Sequence, residues 1–361
     1  MIEDFYKCDP YGLDRDSKNI LLTKELKELT EYHRCRCKEY DSFLRTVGYC
    51  SERVLRKEDI PFFPVRLFKE FDLLSIDKNE IFKTMTSSGT TGQRVSKIFV
   101  DKETAMMQQK VMVKILSSYW GKKRLPMLVV DTPAVLKDRN MFTARGAAVI
   151  GLTIVSRDTV YVLNDDMSLN FDKLESFLEK YRGQPVIIFG FTFLVWQHFY
   201  QEIAASGKKY DLSDAFLMTG GGWKQLESAA ISRDEFKKRL IDLCKVGHFL
   251  DHYGMVEQTG CIYAECEYGH LHASIYSDVI TRRYEDFSPC EIGEKGIIQV
   301  VSVLPHSYPG HSLLTEDEGI ILGEDDCPCG RKGKYIQVIG RMKSAEIRGC
   351  SDTYADQYRA D

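Results

Sequence analysis

Seven consecutive residues, Thr86, Ser87, Ser88, Gly89, Thr90, Thr91 and Gly92, combine hydroxyls with glycines in a way that suits a polyanion better than a core. Glycines let the main chain take positive φ and approach a ligand closely, so that successive N–H groups converge on phosphate oxygens as a nest. The expected ligand is the phosphate tail of a nucleotide. This is not a Walker loop, because no Gly-Lys-Ser/Thr ending stands at the required spacing and Lys97 lies too far along. An ordinary Ser/Thr/Gly turn is the plain alternative if the run stood alone.

The elements around it must position such a loop. At 361 residues the chain exceeds what one core usually organises, so a large domain with a smaller one attached is expected. Leu22, Leu26, Leu29 and Tyr32 recur at helical spacing, which predicts a helical region over 19–47 closed by Pro61 and Pro64. Beyond residue 80, short apolar runs alternate with helical stretches: Met127 to Val130, Ala147 to Val155, Val186 to Phe189, Ala215 to Met218 and His248 to Tyr253. These are expected to be strands of an α/β layered sheet. After about Ser288 the pattern turns β-rich, with Gly296 to Val303 and Tyr335 to Ile339 as strands. The expected organisation is an N-terminal helical region (1–80), an α/β core (81–287), a β-rich subdomain (288–340) and a tail (341–361).

A net charge of −4 offers no general attraction to nucleic acid or anionic lipid. Met1-Ile2-Glu3-Asp4 has neither the cationic start nor the apolar run of a signal peptide, and Val186 to Trp196 is too short to span a bilayer of about 20 residues, so a cytoplasmic protein without a transmembrane segment is expected. The eleven cysteines, an odd count, then read as free thiols, metal ligands or a nucleophile.

Further motifs follow in order: Thr219-Gly220-Gly221-Gly222, Asp251-His252-Tyr253-Gly254-Met255-Val256-Glu257, Leu314-Thr315-Glu316-Asp317-Glu318-Gly319, Cys327-Pro328-Cys329-Gly330 and Gly340-Arg341. Together with the hydroxyl-glycine loop, this order resembles the adenylate-forming superfamily, which activates carboxylic acids with ATP. Trp223-Lys224 and Ile347-Arg348-Gly349-Cys350-Ser351-Asp352 narrow the resemblance to the acyl-protein synthetases of bacterial bioluminescence operons, the long-chain-fatty-acid–luciferin-component ligases. It runs from about Pro61 to Asp352. The fold it implies is the N-terminal domain of adenylate-forming enzymes, layered α/β sheets with a small β-rich subdomain, without the usual mobile C-terminal domain.

Forming an acyl adenylate brings a carboxylate onto the α-phosphate of ATP, so charge management is the main task. Residues 86–92 would supply phosphate donors, each pre-aimed donor lowering the barrier by roughly 3 kcal/mol. Glu257 would anchor Mg2+, a hard cation that prefers carboxylate and water; its bland reading is a surface acid. Tyr253 and Gly254 end a predicted strand, where an open α/β sheet usually holds its ligand. The resemblance implies that the tyrosine lies against adenine, that Gly220, Gly221 and Gly222 let the backbone reach the base or α-phosphate, that Asp317 holds the ribose hydroxyls, and that Arg341 belongs to the nucleotide motif. Two departures matter. Val256 stands where many members carry threonine, and the loop continues Gln93-Arg94-Val95-Ser96-Lys97 without the usual lysine, leaving Arg94 or Lys97 to replace that charge. Lys224 is a second candidate cation near the reacting centre, against the plainer reading of a solvated lysine at a helix start.

The residues after Gly340 fall far below the roughly 50 a domain needs, so the second half-reaction requires another device. Cys350 offers one, a thiol in a polar, Gly-flanked tail beside Arg348, which favours the thiolate, and Asp352, which opposes it. The resemblance implies acylation of this cysteine and delivery to an acyl reductase partner. Cys327-x-Cys329 with Cys266 and His270 or His272 has the composition of a closed structural zinc site; His272 is taken as the ligand, and a Cys-Pro-Cys-Gly turn that binds nothing is the alternative. Phenylacetate-type ligases carry a comparable arrangement. Val186 to Phe199 could line an acyl tunnel or simply be a buried strand turning into a buried helix.

The expected activity is ATP-dependent conversion of a fatty acid to acyl-AMP and then to a thioester on Cys350. A phenylacetate-type CoA ligase and a non-catalytic nucleotide-binding subunit are the alternatives, and a homo-oligomer stays open.

Overall fold

The computed structural model of the protein describes residues 7–87, 95–136, 144–221 and 231–342. It is a mixed α/β fold. The described chain divides into two compact units, one of residues 7–87, 95–118 and 253–342, the other of residues 119–136, 144–221 and 231–252.

The first unit is built on an antiparallel sheet. Strands Ser277–Arg282, Lys295–Ser302, Ser312–Glu324 and Lys334–Arg341 pair in succession, Leu271–His272 joins the last of them, and Tyr263–Glu265 follows. Phe63–Pro64 adds in parallel against Leu313 and Leu314. Val279, Ile298, Val300, Leu313 and Ile336 bury one sheet face under Tyr40, Phe63, Phe68 and Tyr308, the hydrophobic driving force of this unit. The helical region expected over 19–47 is two helices, Arg15–Arg36 and Lys38–Thr46, because Cys37 between them adopts extended angles (φ −117°, ψ 108°). Asp14 caps the first by accepting from the Ser17 N–H, and Leu22, Leu26 and Leu29 are buried as their spacing predicts.

An ion cluster ties that helix to the sheet. Asp278 is fully buried among three lysines drawn from distant parts of the chain: Lys57 Nζ at 3.0 Å, Lys18 Nζ at 3.5 Å and Lys334 Nζ at 3.8 Å from its carboxylate. The short hairpin Lys83–Thr86 and Lys97–Val100 also belongs to this unit, with Thr86 opposite Lys97.

The second unit is a parallel sheet in the order Ser156–Tyr161, Leu125–Val129, Val186–Phe191, Ala215–Gly220 and His248–Tyr253, the last residue of which falls in the first unit. Val186–Phe191 is buried at every position, as a two-sided parallel strand must be. It runs into Thr192–Leu194 and the π-helical turn Val195–Tyr200, a buried strand leading into a buried helix. One expected strand is corrected: 147–155 is mostly helix, Ala144–Leu152. A short apolar run has no period to distinguish the two, and here it supplies the crossover that a parallel strand requires.

Candidate active site

In the first unit, three of the expected nucleotide residues meet. The Tyr253 hydroxyl donates to Asp317 Oδ2 at 2.7 Å, and Arg341 Nε stands 3.8 Å from Asp317 Oδ1. Adjacent strands produce this, since Asp317 and Arg341 are direct cross-strand partners. Thr315 fixes the turn of the main chain, its hydroxyl donating to the Ile298 carbonyl (2.7 Å) and accepting from the Asp317 N–H (3.1 Å). Burial pushes the Asp317 carboxyl up, with Tyr253 and Arg341 pulling it down. Burial and the Asp317 charge push the Tyr253 phenol far up, so the phenol stays protonated and keeps donating.

Glu257 is buried on the single turn Val256–Gln258, four residues beyond Tyr253. This departs from the bland reading of a surface acid. Burial raises its carboxyl, and Ser96, Lys69 and Arg341 act the other way. Gly254 is exposed, and an added Cβ would meet nothing closer than Ile262 Cγ2 at 3.6 Å, so packing does not demand glycine there.

Thr86 ends its strand, and Ser87 closes the hairpin base: its N–H donates to the Ser96 carbonyl (3.1 Å) and its hydroxyl accepts from the Ser96 N–H (2.9 Å). Lys97 pairs with Asp72 at 3.7 Å on the exposed side. Ser88, Gly89, Thr90, Thr91, Gly92 and Arg94 lie outside the described residues, as do Gly222, Lys224 and Cys350.

In the second unit, Thr219 and Gly220 end a sheet strand and Gly221 follows. The glycines there have structural reasons: a Cβ on Gly220 would come within 2.8 Å of His252 Cε1, and Gly221 takes φ +72°, which disfavours other residues, with a Cβ position 3.0 Å from Phe191 Cδ1.

The expected zinc ligands also assemble. One ligand atom each from Cys266, His272, Cys327 and Cys329 lies within 4.8 Å of every other. Two turns present them. One is closed by Gly269 N–H to Cys266 O and Cys266 N–H to His270 O (both 2.9 Å), the other by Gly330 N–H to Cys327 O (3.0 Å) with Gly330 at φ +79°. Cys266 and Cys327 Sγ are 3.9 Å apart, and Cys329 Sγ is 3.4 Å from His272 Nε2. His270 instead stacks on Tyr335 at 4.5 Å, with its Nδ1 3.2 Å from Cys327 Sγ. Three thiols and an imidazole converging at tetrahedral spacing are a donor set that zinc fits.

No described helix is long and apolar enough to cross a membrane. The family model described as "Acyl-protein synthetase, LuxE" matches residues 1–359. Long-chain-fatty-acid–luciferin-component ligases of Vibrio harveyi and Aliivibrio fischeri are 23% and 22% identical, covering 94% and 97% of this chain and 89% and 92% of their own. Among solved structures, an open conformation of 2-hydroxyisobutyryl-CoA ligase in complex with 2-HIB-AMP and CoA superposes with a TM-score of 0.71 at 14% identity, covering 93% of this chain and 78% of that one. That is a likeness of fold.

Proposed function

The chain belongs to the acyl-protein synthetase family, and from that premise we propose that it activates a fatty acid with ATP to acyl-AMP, passes the acyl group to the Cys350 thiol, and delivers it to an acyl reductase partner. The relatives' name, long-chain-fatty-acid–luciferin-component ligase, supports the substrate class and reaction type.

The observation that carries this reading is the Tyr253–Asp317–Arg341 group. A ribose diol offers two hydroxyl donors, and a carboxylate braced by a phenol and a guanidinium accepts both in a fixed orientation. Residues 86–92 and Gly254 would take the phosphates and base with unhindered backbone, alongside Gly220, Gly221 and Gly222. Glu257 would hold Mg2+, which when bound offsets negative charge on the phosphates. Lys224 would supply a further positive charge. Cys266, His272, Cys327 and Cys329 would hold a structural zinc ion that joins two turns of the β-rich sheet.

The test is Cys350→Ser. The variant is expected to keep fatty-acid-dependent ATP–pyrophosphate exchange and to lose hydroxylamine-sensitive acyl label on the protein. Retained label places the nucleophile on another residue. Robust acyl-CoA release from acid, ATP and coenzyme A would favour a CoA ligase instead, and absence of exchange with every acid tested would favour a nucleotide-binding subunit.

A further inference from the structure

The Cys266–His272–Cys327–Cys329 cluster carries a cover: residues 8–14, which lead into helix Arg15–Arg36, pack against it within the first unit. Tyr11 is buried, and its ring stands edge-on to the His272 imidazole at 5.9 Å and 79°. His272 also meets the Tyr335 ring at 5.6 Å. Its Nε2 faces Cys329 Sγ at 3.4 Å, while its buried Nδ1 has no hydrogen-bond partner among the described residues. A metal-bound imidazole is usually oriented by a hydrogen bond at its other nitrogen. Here ring packing takes that place, and Tyr11 supplies it from a distant part of the chain.

The cover is fastened to both ligand-bearing pieces. The Ile275 N–H, just beyond His272, donates to the Pro10 carbonyl at 2.8 Å, and the Lys332 N–H, just beyond Cys329, donates to the Tyr11 carbonyl at 3.0 Å. The Arg331 guanidinium lies 5.8 Å from the Tyr11 ring centroid and pairs at 3.0 Å with Glu267, the neighbour of Cys266. Asp325, at φ +66°, closes the cysteine turn by accepting the Gly333 N–H on Oδ1 (2.6 Å), and its Oδ2 accepts the N–H of Arg15, the first residue of the helix (2.8 Å). Strand pairing of Leu271 and His272 with Ile336 and Tyr335 joins the roots of the two turns, and a bound ion would join their tips. The groups that hold residues 8–14 therefore converge best when the tips are held together.

We propose that Tyr11 is a positioning residue of the metal centre and that the centre in turn fastens residues 8–14, so that each loosens when the other is removed. This rests on the zinc reading above. Tyr11 touches no ligand of the ion except through the His272 ring, and its effect on the metal is reciprocal: whatever factor docking of the segment adds to zinc affinity, zinc adds to docking.

The experiment uses the full chain purified under reducing conditions. Zinc affinity is measured by competition with a chromogenic chelator for wild type, Tyr11→Phe and Tyr11→Ala. Tyr11→Ala is expected to bind zinc about 10- to 100-fold more weakly, the scale of one buried aromatic side chain, and Tyr11→Phe, which keeps the ring, should bind as wild type does. Hydrogen exchange of wild type with and without zinc gives the reciprocal, which needs no variant to fold. The Arg15, Ile275 and Lys332 amides, donors to or beside the segment, should exchange faster by the same factor once zinc is stripped, while strand Lys295–Ser302 stays slow. Unchanged zinc affinity in Tyr11→Ala, a Tyr11→Phe as weak as Tyr11→Ala, or unchanged exchange at the three amides overturns the assignment. Loss of protection in Lys295–Ser302 to the same degree would mean that the ion holds the whole sheet, and overturns it too. Wild type that binds no zinc refutes the zinc reading and this inference with it.

Discussion

Replacing Cys327 by serine is expected to remove a zinc ion bound one per chain. The magnitude follows from geometry. Zn–S bonds of about 2.3 Å and Zn–N bonds of about 2.0–2.1 Å at tetrahedral angles give an S···S edge of about 3.8 Å and an S···N edge of about 3.6 Å. Cys266 to Cys327 is 3.9 Å, and Cys329 to His272 is 3.4 Å. These two edges match within a few tenths of an ångström, and all four atoms lie within 4.8 Å of one another, so a single ion fits between them with shifts of about an ångström or less. Because only the folded chain presents all four ligands, free zinc at about a thousandfold above its Kd would add about 4 kcal/mol to stability. The assay is metal content by mass spectrometry after purification under reducing conditions, with cobalt(II) substitution to read coordination geometry. Wild type and His270→Ala should carry one ion with a tetrahedral cobalt spectrum, while Cys327→Ser and His272→Ala should not, and a strong chelator should lower the melting temperature of wild type only. Wild type free of metal with an octahedral cobalt spectrum would refute the reasoning, and metal lost from His270→Ala but kept in His272→Ala would exchange the two histidines.

Asp317→Asn is expected to weaken ATP binding about 10- to 150-fold, the loss of a charge-assisted hydrogen bond of about 1.5–3 kcal/mol, measured by calorimetry; a smaller effect on ATP than on the acid substrate would take Asp317 out of the nucleotide site. Asp278→Asn leaves three buried lysines short of their shared anion and is expected to cost about 3–5 kcal/mol at pH 7, read as a shifted urea midpoint with an unchanged slope. Burial alone would raise the Asp278 carboxyl, but Lys18, Lys334 and Lys57 hold it well below the carboxylate range. Its contribution is thus fully present above the unfolded value of about 3.9 and lost as pH falls below it, so the gap between wild type and variant should close in acid. A gap under about 1 kcal/mol at pH 7 would mean that the lysines do not depend on this carboxylate.

Features that act locally along the chain stood out in the residues. Glycine and hydroxyl residues suited to phosphate, the Tyr253–Glu257 and Asp317 motifs, and paired cysteines around a turn each suggest a chemistry within a few positions, and the fold brings Tyr253, Asp317 and Arg341 together and groups the cysteines with His272. Strands such as Val186–Phe191 showed themselves as short, fully apolar runs for the same reason. What the tertiary structure decided were choices for which neighbours in sequence carry no information. Residues 147–155, expected as a strand, are mostly helix, because a short apolar run carries no period and the parallel sheet requires a crossover there. His270 and His272 stand two apart, on the same side of an extended chain, so no periodicity separates them; in the fold the His272 imidazole groups with all three thiols within 4.8 Å, while His270 stacks on Tyr335 beside Cys327. Lys18, Lys57 and Lys334 gather around Asp278 from separations of 260, 221 and 56 positions along the chain. No sequence pattern announces such a cluster, because electrostatic attraction acts across space and only the folded sheet brings those charges within reach.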